Sequence, residues 1–308
     1  MSCNFNIRDK CPACQTQAAN ELYAASLTAP PISDYLEAFY APQGGIELGT
    51  LEGGKYVLLE CTGCGLVFQR NVLSDALMHR LYERWIDPVR SLAIYEAETG
   101  VNHVLAQVRQ IADLIGFIEQ HPSQIKALDY GMGWGHWCQL AMAFGLTVYG
   151  HELSPSKVAS AASKGVKNLL PQEFTSHEFD FINADQVFEH LSDPLETLKN
   201  LVKNLKPNGL MRIGVPDGWN IKQRLKSANW QEAKQARNSL NPVAPLEHIN
   251  CFNHHALVNM ARLASLEPTN VPSRYALTCL GSIRSMLRPA YYTLRGSFGT
   301  TSYFRKIQ

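Results

Sequence analysis

A glycine-rich turn in the middle of the chain constrains the fold more than any other feature of the sequence. Residues 127–130 form an apolar run typical of a buried strand, and Gly131, Gly133 and Gly135 follow it directly. Glycines let the backbone turn sharply and approach a ligand closely, and the helix predicted after them offers free N–H groups at its start. The segment therefore predicts a strand, a ligand-binding turn and a helix.

The chain from about residue 122 to 270 alternates short apolar runs with helical stretches. The predicted strands cover residues 127–130, 147–152, 179–183 and 210–215. The predicted helices cover residues 137–144, 155–163, 194–205 and 255–264. This alternation is typical of an α/β fold with a doubly wound, mostly parallel sheet.

Two features of the turn argue against a dinucleotide ligand. Its glycines have the spacing G-x-G-x-G rather than the G-x-G-x-x-G of dinucleotide-binding folds. Asp129, just before them, would repel a pyrophosphate but would suit a cationic ligand. Glu152 ends the next predicted strand, where a carboxylate can accept hydrogen bonds from both hydroxyls of a ribose.

With these residues the sequence resembles the class I S-adenosylmethionine-dependent methyltransferases. Four segments carry the resemblance in the family's order, and they cover residues 127–135, 152–155, 179–194 and 205–216. The resemblance implies a seven-stranded Rossmann-like sheet and S-adenosylmethionine as the methyl donor. The residues that it places at this cofactor are Asp129, Gly131, Gly133, Gly135, Trp137, Glu152, Leu153, Asp185 and Gln186.

Each part of the cofactor has an expected neighbour under this resemblance. The three glycines would line the methionine part, Glu152 would hold the ribose, and residues 170–172 would border the adenine. The loop after the strand at 179–183 would close over the reacting face. Trp134 and Trp137 are bulky where the family often has small residues, so they either wall the pocket or pack in the core.

Two C-x-x-C pairs precede the α/β part of the chain, Cys11 with Cys14 and Cys61 with Cys64. Two such knuckles can supply the four thiolates of a structural zinc site, which has no open position for catalysis. The gap between the pairs is longer than in a compact zinc ribbon, and an inserted loop would account for it. A redox pair or unliganded thiols are the alternatives, but two matched pairs without a thioredoxin-like unit favour zinc.

A C-x-x-C module ahead of a methyltransferase domain resembles a subgroup that includes deoxysugar C-methyltransferases. This resemblance implies a small acceptor, a sugar or nucleotide-linked sugar of polysaccharide or secondary-metabolite biosynthesis. Methyl transfer can involve removal of a proton from the acceptor, a task that suits histidine near neutral pH. The resemblance makes His248 the candidate general base, with Glu247 orienting it, and His190 a second candidate.

These candidates have structural alternatives. His190 could cap or pack the helix that follows it, and His248 could hydrogen-bond a lid predicted at about residues 217–245. The helical stretch predicted at residues 221–238 would form part of that lid. Tyr82 and Tyr95 could also border the acceptor.

Composition limits the classes of binding partner and the cellular location that we expect for the protein. The 308 residues carry a formal net charge of +1, which argues against a surface built to grip nucleic acid. We expect a cytoplasmic protein without a transmembrane segment, because neither a long apolar run nor a secretory signal is visible. The rival functions are an O- or N-methyltransferase of another metabolite, lipid or RNA, and a non-catalytic protein that binds the cofactor and zinc. A nicotinamide-dependent dehydrogenase is a more distant alternative.

Four consecutive blocks describe the predicted organisation. Residues 1–70 would form the zinc-binding module and residues 71–121 a helical connection with substrate-side helices. Residues 122–270 would form the cofactor-binding domain, and residues 271–308 the final strands and a basic tail. The tail is interpreted as a solvated end, with a patch for phosphate or another anionic surface as the alternative.

Overall fold

The structure is a computed structural model that describes residues 4–234, 236–271 and 301–307. The strands in these residues are β1 (Phe5–Ile7), β2 (Ala19–Ser26), β3 (Lys55–Cys61), β4 (Val67–Gln69), β5 (Asn71–Leu73), β6 (Lys126–Tyr130), β7 (Thr147–His151), β8 (Lys167–Asn168), β9 (Phe179–Asp185), β10 (Leu205–Gly214), β11 (Asn250–Cys251), β12 (Leu266–Thr269) and β13 (Thr301–Lys306). The helices there are α1 (Ile32–Tyr40), α2 (Asp75–Arg80), α3 (Pro88–Glu98), α4 (Val101–Ile118), α5 (His136–Ala143), α6 (Pro155–Ser163), α7 (Pro194–Lys203), α8 (Ile221–Ser227) and α9 (His254–Leu263).

The chain forms two compact units, and each is assembled from separate segments. The first unit consists of Met1–Ala93, Phe188–Leu195 and Val215–Met260. The second unit consists of Ile94–Val187, Glu196–Gly214 and Ala261–Gln308. The four consecutive blocks remain a prediction from the sequence, since these units divide the chain differently.

The first unit is built on small antiparallel sheets. Strands β2, β3, β4 and β11 form one sheet in the order β11-β4-β3-β2, and β1 pairs with β5. Its core contains large side chains that are almost fully buried, among them Tyr40, Tyr56 and Trp85. Burial of such aromatic surface is the main stabilising contribution available to a unit with short strands.

The second unit carries a seven-stranded sheet, counted in the described residues, with the order β12-β13-β10-β9-β6-β7-β8. Neighbours from β10 through β8 are parallel, while β13 runs antiparallel to both β10 and β12. Helix α4 buries Ile111 and Leu114 against this sheet's core, together with Trp137 and Phe181. The predicted α/β fold with a mostly parallel seven-stranded sheet is confirmed.

Two sequence-based boundaries differ from the structure by several residues. Strand β10 begins at Leu205 rather than at residue 210, because the chain stays in the strand through a register shift that includes the positive-φ residue Asn208. Helix α8 ends at Ser227, where Ala228 adopts a left-handed φ of +43°. The rest of the helix predicted at residues 221–238 is absent from the described part of that stretch. Beyond Ala228 the segment buries Trp230 in the core of the first unit, which a mobile polar helix would not do.

Part of the predicted basic tail is visible. Arg305 and Lys306 lie on β13 and donate to the backbone oxygens of Asn208 and Leu205, at 3.2 and 2.5 Å. These two side chains therefore hydrogen-bond to the backbone of β10 in the seven-stranded sheet. The other basic residues of the predicted tail lie outside the described residues, namely Arg274, Arg284, Arg288 and Arg295.

Candidate functional site

The glycine turn joins β6 to α5 and leaves one open face. Gly131, Gly133 and Gly135 have φ values of +76°, +53° and +78°, a region that favours glycine. A Cβ on Gly131 would lie 2.4 Å from a methyl of Val187, and one on Gly135 would lie 2.9 Å from Ala161. A Cβ on Gly133 would meet no atom within 4 Å. Two of the glycines therefore pack the turn tightly, and Gly133 faces space that a ligand can fill.

Glu152 ties this turn to the end of β7. Its Oε2 accepts a hydrogen bond from the backbone N–H of Gly133 at 3.1 Å. Its Oε1 accepts from the N–H groups of Leu153 at 2.8 Å and Ser154 at 3.0 Å. A carboxylate thus stands beside the open face of the turn, at the carboxyl edge of the parallel sheet where α/β folds bind ligands.

Apolar surface adjoins this carboxylate. The side chain of Leu153 is 78% exposed and that of Leu170 is 47% exposed. Two residues before Leu153, His151 is buried, stacks on Tyr130 with ring centroids 4.9 Å apart, and places Nδ1 2.8 Å from the carbonyl oxygen of Leu169. These exposed leucines follow the neighbouring strands β7 and β8 and offer contact surface for a flat base.

Asp129 is buried near the end of β6, just before the turn. Its Oδ1 accepts from the Asn183 amide at 2.7 Å, and its Oδ2 accepts from the Cys138 thiol at 3.4 Å. Burial raises the pKa of Asp129 to about 6, against the hydrogen bonds from Asn183 and Cys138 that lower it. Asp129 therefore links the end of β6 to β9 and to helix α5.

The same buried network reaches the loop after β9. Arg212 donates from Nη1 to the Asn183 oxygen at 2.9 Å, and its Nη2 lies 3.3 Å from Oδ1 of Asp185. Gln186 is exposed, has a φ of +57° and donates its N–H to the Gly214 oxygen at 2.8 Å. Sequence reasoning did not single out Asn183 or Arg212, since both act through side-chain contacts between strands.

Trp134 and Trp137, which the sequence placed either at the wall of the pocket or in the core, are both buried. Trp137 packs on Phe181 with ring centroids 5.9 Å apart, within the core of the second unit. Trp134 is also buried, and its carbonyl oxygen accepts a hydrogen bond from Nζ of Lys164 at 2.6 Å. Neither ring is exposed as a wall, although the indole N–H of Trp137 has no hydrogen-bond partner among the described residues.

The four paired cysteines come together at one place in the first unit. Their sulfur atoms all lie within 4.8 Å of one another. The Sγ atoms of Cys11 and Cys64 are 3.6 Å apart, and those of Cys14 and Cys61 are 3.5 Å apart. Hydrogen bonding with the Cys64 thiol lowers the pKa of Cys11 to about 5, and the same contact raises the pKa of Cys64. Sulfurs bonded to one zinc ion at about 2.3 Å lie about 3.8 Å apart, so the donor set fits tetrahedral zinc.

The two Glu-His pairs also come together within the first unit. The rings of His190 and His248 lie 4.9 Å apart at 67°. His190 Nδ1 is 2.9 Å from the Glu247 carbonyl oxygen and 3.3 Å from the Tyr82 hydroxyl. The Tyr40 hydroxyl donates to Oε1 of Glu247 at 2.7 Å, a contact that no sequence motif signals.

His248 occupies a restrained position. It follows Leu246, a buried residue with a left-handed φ of +72°. Its Nδ1 forms a short hydrogen bond with the carbonyl oxygen of Asn241. Burial lowers the pKa of His248 to about 4. The ring is therefore held neutral and in a fixed orientation.

Tyr95 belongs to the second unit. It stacks on His136, with ring centroids 5.1 Å apart at 5°. Both rings line a cavity of about 340 Å³. Tyr82, in contrast, contacts His190 as described above.

The fold and the turn together define a Rossmann-like methyltransferase. The sequence profile of a family described as a methyltransferase domain matches residues 102–271, which is more than half of the chain. The chain therefore belongs to this family and carries an S-adenosylmethionine-dependent methyltransferase domain. In the described residues, no helix is both long and apolar enough to cross a bilayer.

Individual relatives are similar over shorter stretches. The ubiquinone biosynthesis O-methyltransferase of Bradyrhizobium diazoefficiens is 32% identical over 98 residues, which cover 29% of this chain and 39% of that protein. The chloroplastic tocopherol O-methyltransferase of Arabidopsis thaliana is 28% identical over 160 residues, which cover 46% of this chain and 44% of that protein. The chain thus spans about two fifths of the length of these curated relatives.

Among solved structures, the plantazolicin methyltransferase BpumL in complex with SAH has a similar fold. The superposition has a TM-score of 0.51 at 15% identity and covers 76% of this chain and 95% of that one. At this identity the likeness supports the fold of the chain and says nothing about its acceptor.

Proposed function

We propose that this protein transfers a methyl group from S-adenosylmethionine to a small acceptor, a sugar or a nucleotide-linked sugar of polysaccharide or secondary-metabolite biosynthesis. The observation that carries the donor side is the open face of Gly133 beside the Glu152 carboxylate. Gly133 would contact the methionine part, and Glu152 would exchange its backbone partners for the ribose hydroxyls. Leu153 and Leu170 would border the adenine, since both are exposed and follow the neighbouring strands β7 and β8.

The remaining candidates for cofactor binding have different roles: some shape the glycine turn and others form the loop after β9. Gly131, Gly135 and Trp137 shape the turn from inside, because they are packed against Val187, Ala161 and Phe181. Asp129 supports the turn from below, and Asp185 and Gln186 form the loop that would close over the methyl group. The donor supplies an electrophilic methyl, and the residues of the chain orient it and exclude water.

The acceptor side is assigned to His248, Glu247 and His190. Because a backbone carbonyl only accepts hydrogen bonds, Nδ1 of His248 carries the proton and Nε2 keeps the lone pair in the neutral ring. His248 would remove a proton from the acceptor through Nε2, with Glu247 fixed by Tyr40 beside it. His190 would bind or deprotonate a second acceptor group.

The cysteine cluster supports a structural zinc site in the first unit. Cys11, Cys14, Cys61 and Cys64 would hold the ion, and their sulfur separations match a tetrahedral site. Metal analysis of the purified chain tests this proposal, with one zinc per chain expected. Cys61→Ser should lose the zinc and Cys251→Ser should keep it, because Cys251 is buried away from the cluster. A zinc-free native chain, or a Cys61→Ser variant that keeps its zinc, would refute it.

A second candidate function is O-methylation of another small metabolite, which the two curated O-methyltransferases favour. Incubation with S-adenosylmethionine and a panel of nucleotide sugars and phenols, read by mass spectrometry, separates the two. Methylated nucleotide sugars are expected, and methylated phenols alone would select the second candidate. Binding of the cofactor without any turnover would instead favour a non-catalytic protein.

The acceptor-side assignment has its own control pair. His248→Gln should remove most of the turnover while the affinity for S-adenosylhomocysteine stays unchanged. His121→Gln should retain both, because His121 is exposed and its contact is with nearby Ser123. Equal turnover of the two variants would contradict a role for His248 as base.

A further inference from the structure

Three side chains of the first unit converge in a way that proton transfer alone does not require. Glu189, His190 and His248 each place one potential ligand atom within 4.8 Å of the other two. The first two belong to the short helical turn Phe188–His190, and the third is far away in sequence. The convergence is fixed by Asn250, whose amide donates to the carbonyl oxygens at both ends of that turn, Phe188 at 3.0 Å and Leu191 at 2.7 Å.

Both imidazoles are oriented through the same ring nitrogen. Nδ1 of His190 faces the Glu247 carbonyl oxygen, and Nδ1 of His248 faces the Asn241 carbonyl oxygen. In the neutral rings this contact places the proton on Nδ1 and the lone pair on Nε2. Histidines that bind metals show this pattern, with the second ring nitrogen donating to a backbone carbonyl or a carboxylate.

The third member adds a carboxylate oxygen at the same point. The side chain of Glu189 is 0% exposed, and its Oε1 lies 3.8 Å from Nε2 of His190. A buried carboxylate retains its charge when a cation or several donors offset the loss of hydration. Two imidazoles and one carboxylate form a set that binds divalent transition metals and leaves coordination positions for water or a substrate oxygen.

We propose that Glu189, His190 and His248 form a binding site for one divalent transition-metal ion. The site differs in chemistry from the cysteine cluster, since nitrogen and oxygen donors replace thiolates. Ligand atoms bonded to one ion at about 2.1 Å lie about 3 to 4 Å apart, and the 3.8 Å between Oε1 of Glu189 and Nε2 of His190 falls in this range.

Metal binding at this site has a consequence for the proposed acceptor side. An ion bound by His248 occupies the Nε2 lone pair that a general base would use. The bound ion would therefore block proton removal by His248, so the metal-free cluster is the state that acts on the acceptor and the ion is an inhibitor of transfer. The metal site itself rests on contacts within the first unit and does not depend on methyl transfer.

Titration of the full-length chain with Co²⁺ tests the site, with the cysteine cluster first saturated with zinc and with cofactor and acceptor omitted. Visible absorption reports Co²⁺ in a nitrogen and oxygen environment, while near-ultraviolet thiolate charge transfer would report exchange at the cysteines. We expect one equivalent to bind without a thiolate band. Absence of binding at millimolar Co²⁺ would overturn the proposal and would leave the methyltransferase assignment intact.

Two glutamates give a matched pair of variants, because each directly precedes a histidine of the cluster. Glu189→Gln removes a proposed ligand, and we expect the affinity for Co²⁺ to fall at least about tenfold. Glu247→Gln changes the residue before His248. The carboxylate of Glu247 accepts a hydrogen bond from Tyr40 and is not a proposed ligand, so the affinity for Co²⁺ should stay within about threefold. Equal affinities of the two variants would refute the site.

A folding defect in the first variant must be separated from a loss of metal. His248→Gln is therefore measured as well, with thermal unfolding of every variant. A native-like melting curve together with lost Co²⁺ binding in either ligand variant supports the site. Native-like melting with full Co²⁺ affinity in His248→Gln would contradict it.

Discussion

Alanine substitutions at Gly133 and Gly165 separate ligand contact from backbone strain. Both glycines have a positive φ, +53° and +84°, and at both positions an added Cβ would meet no atom within 4 Å. An alanine in the left-handed region costs roughly 1–2 kcal/mol. We therefore expect similar losses of stability, of about that size, from Gly133→Ala and Gly165→Ala.

The two variants should differ in cofactor affinity. The new methyl at Gly133 enters the space beside Glu152 where the cofactor is expected, whereas Gly165 lies in the turn between α6 and β8. Displacing the ligand enough to lose one hydrogen bond of about 1.5 kcal/mol reduces affinity about tenfold. Gly133→Ala should thus bind S-adenosylhomocysteine at least about tenfold more weakly, and Gly165→Ala should bind like the native chain.

Isothermal titration calorimetry gives the affinities, and urea unfolding gives the free energies of unfolding. Native affinity in Gly133→Ala would refute the assignment of this open face to the cofactor. An equal loss of affinity in both variants would show that strain spreads through the unit, and the geometric argument would fail.

Three further predictions address the site and its supports. Glu152→Gln keeps the shape of the side chain but removes its charge, so affinity for S-adenosylhomocysteine should fall about 10- to 100-fold in calorimetry; an unchanged affinity would exclude the carboxylate as ribose ligand. Because the pKa of Asp129 is raised to about 6, its stability contribution is present below about pH 4 and lost as pH rises through 6. Relative to Asp129→Asn, the native chain should lose stability of order 3 kcal/mol between pH 4 and 7 in urea unfolding, and parallel pH profiles would contradict this. Asn250→Ala removes donors to Phe188 and Leu191 and the acceptor for Arg8, so it should destabilise the chain by about 2–4 kcal/mol, and a change below about 0.5 kcal/mol would refute that role.

The sequence was most informative where a structural or functional feature depends on a short motif. Glycine spacing predicted the turn between β6 and α5, and the two C-x-x-C pairs predicted that four distant cysteines meet. Strand periodicity located most of the parallel sheet. In each case the signal lies within a few consecutive residues, where backbone geometry limits the possible structures.

Contacts between distant segments could not be predicted in this way. Tyr40 and Glu247 are separated by 207 positions, and Arg212 reaches Asn183 across neighbouring strands. The helix predicted at residues 221–238 was wrong because its polar composition hid the burial of Trp230, and Ala228 ends the helix after Ser227. Such features depend on tertiary packing rather than on local propensity.

A crystal structure of the chain with S-adenosylhomocysteine tests the central claim most directly. We predict that the two ribose hydroxyls donate to Glu152 at about 2.7 Å and that the methionine part lies over Gly133. The carboxylate would then have released at least one of its present backbone partners. Cofactor bound at another place, with Glu152 still accepting from Gly133, Leu153 and Ser154, would contradict the account.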